Sequence, residues 1–285
     1  MKEDERMATH NEVRIVGYLK KDPIIMNQGK TERILCTVRV VNRELDGYNE
    51  PPFQNILMVY DGTKLNSQIK KLKAFDLIDV KGVVNVVNML KRSVCPSCGE
   101  ENLKRGTFFG VYPIHITKLN ALKTVNDHSE ELPDEVLLKH FREVSNHALV
   151  LGNVNSMPEI TGKRDIVSCR YRLCVERKYF IKTQNDIRMD YPYIYSYGKQ
   201  LSNDMKYLKT GSLVLVDGFI RMRSVMNRAT CAKCGSEYEF PDVASELIPY
   251  NVEYFRGYYT EEEAEERMQE QAREAEKAVL GMTGS

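Results

Sequence analysis

Two CxxC motifs account for four of the seven cysteines: CPSCG at 95–99 and CAKCG at 231–235. The CxxC spacing lets two thiolates bind one metal ion, and the glycine permits the tight turn after the second cysteine. A structural zinc ion needs four ligands, and each motif supplies two of them. The sequence therefore predicts one shared zinc site, and its ligands are Cys95, Cys98, Cys231 and Cys234.

Two alternatives to this site stay open at the level of sequence: a zinc ion bound between two chains, and motifs without metal, as free thiols or local disulfides. The N-terminal segment MKEDERMATH has no apolar stretch of the secretory type. We therefore expect a cytoplasmic protein in a reducing compartment, where disulfides are disfavoured. Cys36, Cys169 and Cys174 lie in predicted strands and are interpreted as core residues.

The two cysteine motifs belong to an internal repeat. NEVRIVGYLKKDP at 11–23 corresponds to NHALVLGNVNSMP at 146–158, at an offset of 135 residues. The cysteine motifs correspond at an offset of 136 residues. An offset of 133 residues aligns Cys36 with Cys169 and Arg39 with Arg172.

This repeat predicts a duplicated, β-rich domain: unit one at 11–122 and unit two at 146–258. In each unit, apolar residues at i, i+4 and i+7 predict one short helix. The segment 123–145 is predicted to be a linker with a helix that packs on a barrel. The acidic segment 259–285 is predicted to be a helical or disordered tail.

The net charge of +1 conceals an uneven distribution. The tail at 261–285 has eight acidic and three basic residues, and the segment 124–145 has six and two. The two units are therefore basic, which favours a polyanionic partner. No GxxxxGKS/T, HExxH or GxSxG motif occurs, so we expect no enzymatic activity.

A row of tyrosines in unit two is the strongest candidate for base stacking. Because side chains alternate along a strand, YPYIYSY places four rings on one face. Bases stack on such rings at roughly 1–3 kcal/mol each. The four rings are Tyr191, Tyr193, Tyr195 and Tyr197.

Arginines on neighbouring strands of unit two are predicted to neutralise phosphates. GFIRMRS is expected to place Phe219, Arg221 and Arg223 outside a barrel. Arg170 and Arg172 alternate with apolar residues in the same way, and Arg177 follows them. The weaker counterparts predicted in unit one are Arg39, Arg43, Phe53, Tyr60, Lys91 and Arg92.

The pattern of both units resembles bacterial and phage single-stranded DNA-binding proteins. The resemblance rests on a strand, an Asp-Pro turn, a basic strand, an aromatic-Gly strand end, a Leu-rich helix and a V-x-V-x-G strand. NILMVYDGTKLNSQIKKLKAFDLIDVKG in unit one and YSYGKQLSNDMKYLKTGSLVLVDGFIRMR in unit two carry it. It implies an all-β fold with short helices: two tandem OB-fold barrels of five Greek-key strands, each with a CxxC knuckle insertion.

The resemblance also implies sequence-tolerant binding of single-stranded DNA in replication, recombination or repair. The family often has a Trp at the start of the fourth strand, where this chain has Tyr191 in unit two and Gln54 in unit one. By analogy, we expect a homodimer or a larger oligomer. The alternatives are an RNA-binding protein of the same fold, and a primosome or recombination adaptor that acts through protein contacts.

Overall fold

The computed structural model of the protein describes residues 10–28, 31–43, 52–119, 133–163, 166–177 and 189–282. The first part of the predicted linker, at 123–132, therefore lies outside the described residues. The elements of unit one are β1 (His10–Leu19), β2 (Ile24–Gln28), β3 (Thr31–Val41), β4 (Phe53–Tyr60), α1 (Asn66–Ile69), β5 (Leu77–Val94) and β6 (Glu101–Lys118).

Helix α2 (Pro133–His140) precedes unit two, and helix α4 (Glu261–Met282) follows it. The elements of unit two are β7 (Asn146–Val154), β8 (Glu159–Lys163), β9 (Ile166–Glu176), β10 (Met189–Asp190), β11 (Tyr193–Ser196), α3 (Gly198–Tyr207), β12 (Leu213–Thr230) and β13 (Glu237–Arg256).

Five strands of unit one pair in a closed ring. Strand β1 pairs with β3 and β5, β3 pairs with β4, and β5 pairs with β6. The ring closes where β6 runs parallel to β4, at Met58 and Val111. Strands β7, β9, β11, β13 and β12 form the same ring in unit two, which closes at Ile194 and Leu247. The all-β fold built on five-stranded Greek-key barrels is confirmed.

The residue-by-residue correspondence of the units follows from these pairings. Both long hairpins have a register shift at a glycine, before Gly82 and before Gly218, which fixes an offset of 136 for these strands. Unit two has a second shift, between Leu213 and Val214. Strands β1 and β7 correspond at an offset of 135. In each strand a glycine lies so close to a backbone carbonyl that a Cβ would not fit: Gly17 lies against the Arg39 carbonyl, and Gly152 lies against the Cys174 carbonyl.

The predicted offset of 133 for the third strand is therefore wrong. The structural counterpart of Cys36 is Tyr171, since Cys36 pairs with Met58 as Tyr171 pairs with Ile194. Cysteine identity suggested an alignment that is two residues out of register, whereas the hydrogen-bonded pairing sets the true one.

The two barrels share one continuous sheet. Strands β1 and β7 run antiparallel, with pairs from His10–Leu151 to Ile15–Asn146. The hairpins β5–β6 and β12–β13 extend from this sheet, and their strands have 18 to 20 residues each. Each hairpin ends in one CxxC motif.

Helix α2 packs on the first barrel, as the sequence predicts. Val136 and Leu137 of α2 are buried in a cluster with Tyr18 and Leu77 of unit one. The tail is helical, and Ala264 of α4 is fully buried near the start of this helix. No helix in the described part of the chain has the length and apolar character that crossing a membrane requires.

A buried ion pair between Arg177, which directly follows β9, and Asp190 of β10 connects unit two to unit one. Arg177 donates to the Asp190 carboxylate, and both side chains are almost fully buried. Arg177 Nη2 also donates to Asn85 Oδ1 at 2.8 Å, and the Val86 N–H donates to Asp190 Oδ1 at 2.8 Å. The prediction that Arg177 contacts nucleic acid is therefore wrong, because its guanidinium is enclosed between the units.

We expect Asp190→Ala to lower the free energy of unfolding by about 3–5 kcal/mol, because it leaves the Arg177 charge buried without a partner. Urea unfolding measures this. The control is Glu239→Ala, which removes the partner of Arg228 in an exposed pair and is expected to cost about 0–1 kcal/mol. A similar, small loss in both variants would contradict the structural role of the buried pair.

Candidate functional site

The four cysteines of the two CxxC motifs meet at the hairpin tips. Their sulfur atoms all lie within 4.8 Å of one another. Cys95 Sγ is 3.7 Å from Cys234 Sγ, and Cys98 Sγ is 3.7 Å from Cys231 Sγ. Each close pair joins unit one to unit two, so the cluster requires both hairpins.

The two cysteine turns have the same backbone geometry. The Gly99 N–H donates to the Cys95 carbonyl and the Gly235 N–H donates to the Cys231 carbonyl, both at 2.9 Å. The φ angles of Gly99 and Gly235 are 72° and 73°. This left-handed backbone is why a glycine follows each motif, since it carries no steric cost without a Cβ.

The distances in the cluster fit a tetrahedral metal site. Four sulfurs at roughly 2.3 Å from a central ion lie about 3.8 Å from one another, whereas a disulfide requires about 2.05 Å. Hydrogen bonds from the hydroxyl and the backbone of Ser236 lower the pKa of the Cys234 thiol to about 6. At Cys98 a backbone hydrogen bond lowers the pKa, but burial and the neighbouring cysteines outweigh it and raise the pKa to about 12, so the cluster favours deprotonation at Cys234 first. A thiolate is the form that binds metal. Tyr238 and Phe240 pack with the buried Cys95 and Cys231 beside the cluster.

The tyrosine row of unit two alternates as the sequence predicts. Pro192, Ile194 and Ser196 are buried, whereas the neighbouring tyrosines are exposed or half-buried. Tyr191 is 37% exposed. The rings of Tyr193 and Tyr195 lie with their centroids 6.4 Å apart.

Two arginines of β9 lie against this row. Tyr193 pairs with Arg172 and Tyr195 with Arg170 across the strands, so their side chains share one face. The Arg172 guanidinium lies 5.6 Å from the Tyr191 ring centroid and 5.1 Å from that of Tyr193. Among the described residues, the buried Nε of Arg172 has no hydrogen-bond partner. Arg170 pairs with Glu159 and lies 5.4 Å from the Tyr193 ring.

The tyrosine row, Arg170 and Arg172 form a basic and aromatic surface, which we call the β9–β11 face. Rings and guanidinium planes in this arrangement provide flat surfaces for stacking and cations for phosphate.

At the far end of this face, β12 is more enclosed than the sequence predicts. Phe219 is fully buried, with its ring 5.0 Å from that of Tyr250, so its predicted outward position is wrong. Unit one covers this region, since the Arg43 guanidinium lies 4.1 Å from the Tyr250 ring centroid. Sequence patterns show which residues share a face, but not what covers it.

The carboxylate of Glu246 holds two of the predicted arginines. Arg221 is 2% exposed and donates to Glu246 and to the Tyr197 hydroxyl. Its predicted place on an open surface is therefore wrong. Arg223 pairs with the same carboxylate at 2.9 Å and stays 43% exposed. Sequence reasoning missed Glu246. It directly precedes the strand LIPYNVEYF, and no motif there identifies it as the partner of Arg221 and Arg223.

Most of the predicted residues of unit one make internal contacts. Tyr60 is buried against Tyr112, and its hydroxyl accepts from the Leu65 N–H, so its predicted place on a binding surface is wrong. Lys91 bonds Asp242 of unit two at 2.6 Å in a largely buried pair. Arg92 remains exposed, 3.5 Å from Glu101.

Helix α2 covers Arg39 and Phe53, two further residues of unit one that were predicted to bind nucleic acid. Arg39 makes a two-pronged ion pair with Asp134 of this helix and lies 4.8 Å from the Phe53 ring centroid. Phe53 packs against the cluster around Tyr18. Sequence reasoning placed Asp134 at the positive end of the helix dipole, but did not identify it as the partner of Arg39.

The register explains the difference between the units. At the offsets of 135 and 136, Thr37 stands where unit two has Arg172, and Leu57 stands where unit two has Tyr193. Unit one therefore has no counterpart of the β9–β11 face, although its barrel has the same pairing.

Comparison with known proteins places the sequence similarity in unit two. Residues 145–238 match the model of the single-strand binding protein family. Two crystal structures of the single-stranded DNA-binding protein from Thermus aquaticus are similar in fold. A variant with a deletion has a TM-score of 0.57 and 13% identity, and covers 90% of this chain and 98% of that one. The wild type has a TM-score of 0.55 and 12% identity, and the alignment covers 89% of this chain and 97% of the Thermus aquaticus chain.

These findings confirm the resemblance to single-stranded DNA-binding proteins, and the structural likeness extends over both units. A search of curated protein sequences finds no match. The family match includes the whole tyrosine row, Arg170 and Arg172.

We expect Asp134→Asn to lower the free energy of unfolding by about 1–2 kcal/mol at neutral pH. Burial raises the pKa of Asp134, but hydrogen bonds from Arg39 and Tyr18 outweigh burial and lower it overall. The stabilisation is therefore present above the unfolded-state pKa of about 4 and is lost as the pH falls through the lower folded-state value.

Urea unfolding between pH 7 and pH 3 checks this expectation, with Glu135→Gln on the same helix as the control. The wild type and Asp134→Asn should converge in acid. A stability difference that stays constant over this range would contradict the ion pair as its cause.

Proposed function

We propose that this chain binds single-stranded DNA without sequence preference, with the β9–β11 face of unit two as its main contact surface. The observation that carries the proposal is the partly buried Arg172, whose guanidinium lies beside the rings of Tyr191 and Tyr193. Bases stack on such rings, and the guanidinium neutralises a phosphate or stacks on a base itself.

The family match supports this assignment, because it falls on the unit that carries the face. The proposed process is replication, recombination or repair in a reducing cytoplasm, with a homodimer or larger oligomer as the working form. Arg223 at the edge of the face extends the cationic surface, since its side chain is 43% exposed despite its ion pair. Arg92 of unit one is a second exposed cation, with a side chain that is 68% exposed.

An RNA-binding protein and a protein-contact adaptor are the alternative functions. Competition between poly-dT and poly-U separates DNA from RNA, because only the 2′-hydroxyl and the base methyl differ in recognition. An adaptor would bind neither polymer. The β9–β11 face favours a nucleic-acid partner of either kind over an adaptor.

The double substitution Tyr193→Ala plus Tyr195→Ala should weaken binding of a dT oligonucleotide at least tenfold, because it removes two stacking rings at roughly 1–3 kcal/mol each. Fluorescence anisotropy of a labelled oligonucleotide measures the Kd. Tyr258→Ala is the control, since Tyr258 is 37% exposed and lies outside the face. Equal affinities for the double variant and the control would refute the assigned surface.

We further propose that the four-cysteine cluster binds one zinc ion, as a structural clasp between the two hairpins. Four thiolates favour zinc among the common divalent ions, and they leave no open position for catalysis. The residues that would hold it are Cys95, Cys98, Cys231 and Cys234.

Metal analysis of the purified protein should give one zinc per chain, and chelation should lower the melting temperature. Cys98→Ser and Cys234→Ser should each release the metal, although they lie in different units. Cys174→Ser is the control and should retain it, because Cys174 is outside the cluster. Zinc at one per two chains, or none, would overturn a site within the chain.

A further inference from the structure

Phe75 has an unusual backbone conformation in the turn between α1 and β5. Its φ is 67°, and it is the one non-glycine residue with positive φ in the described part of the chain. A bulky side chain is disfavoured in this left-handed region, because its Cβ crowds the following carbonyl. Such outliers persist where the surrounding structure and a function retain them.

Unit two places a glycine at the equivalent position. Gly211 has a φ of 93°, and it follows Phe75 at the offset of 136. The Phe75 N–H donates to the Leu19 carbonyl and the Gly211 N–H donates to the Val154 carbonyl, both at 2.8 Å. Glycine therefore performs the backbone role of this turn without strain, and the phenyl ring of unit one requires another explanation.

The ring of Phe75 is a flat surface that is supported on one side. It stacks on Tyr18, with centroids 6.0 Å apart and planes inclined by 23°. Tyr18 is itself fixed, since its hydroxyl donates to Asp134 at 2.7 Å. Phe75 is 50% exposed, so the stack on Tyr18 leaves a large part of this residue accessible to solvent.

Several lysines surround this turn. Lys20 and Lys21 are exposed and directly follow Leu19, whose carbonyl accepts from the Phe75 N–H. Lys73, two residues before Phe75, is 68% exposed, although it pairs with Asp22 at 3.0 Å. A supported aromatic ring beside cations has the composition of a single-strand contact.

We propose that Phe75, supported by Tyr18, is a stacking platform for one unpaired nucleobase, and that the lysines beside it meet the adjoining phosphates. This inference rests on the proposed function. It gives unit one a contact of its own at the end of its barrel, although the counterpart of the β9–β11 face is absent there.

Phe75→Gly separates this role from a structural one. The substitution restores the residue that unit two uses, so it should raise the melting temperature by relieving the backbone. It should also raise the Kd for a dT oligonucleotide of about 30 nucleotides by roughly fivefold to a hundredfold, the change expected for loss of one base stack. The dependence of Kd on salt should stay unchanged, because no charge is removed.

Phe75→Trp supplies an independent readout. The chain has no tryptophan, so this variant carries a single indole at the proposed platform. Its affinity should stay within about threefold of the wild type, because an indole also stacks on a base. Its emission should be quenched when the dT oligonucleotide saturates the protein.

Two results would overturn the inference while the proposed function stands: wild-type affinity in Phe75→Gly, or tryptophan emission that saturating dT leaves unchanged. A lower melting temperature with unchanged Kd in Phe75→Gly would assign the ring to packing alone. Failure of the wild type to bind dT would instead remove the proposed function, and the platform with it.

Discussion

The antiparallel pairing of β1 with β7 is the constraint on which the rest of the molecule depends. It joins two closed barrels edge to edge, so the two long hairpins project from one continuous sheet and their tips meet. The sulfur atoms of Cys95 and Cys234 come within 3.7 Å of each other at that meeting point. The units are therefore connected at both ends, by backbone hydrogen bonds at the base and by the cysteine cluster at the tips. Contacts such as Lys91–Asp242 fill the region between these ends.

Because the two units bury parts of each other, the two similar barrels differ in which of their predicted binding residues are exposed. Unit one covers the region around Phe219, Glu246 of unit two holds the buried Arg221, and Asp134 of helix α2 pairs with Arg39. The face around Arg172 keeps solvent-accessible area, because Arg172 is only partly buried and Tyr191 is 37% exposed. On this account, one barrel serves mainly as support and the other carries the proposed contact surface.

The sequence predicted the barrel fold, the cysteine cluster and the alternation of the tyrosine row, because each depends on local periodicity or fixed spacing. It failed where the outcome depends on long-range packing. Phe219 and Arg221 share a face as predicted, but only the assembled chain shows that unit one and Glu246 cover it. Cys36 was aligned with the wrong residue, because a shift in strand register cannot be read from residue types. The hydrogen-bonded pairing of the strands shows the register directly. The backbone strain at Phe75 can be recognised only from its φ angle in the structure. The sequence repeat shows only that Gly211 stands at the equivalent position.

The most direct test of the central claim is a titration of the whole protein with dT oligonucleotides of graded length at a low and a high salt concentration. We predict saturable binding that tightens with length until both units are occupied, and a Kd that rises with salt as phosphate contacts are screened. No binding at low salt, at any length, would contradict the account.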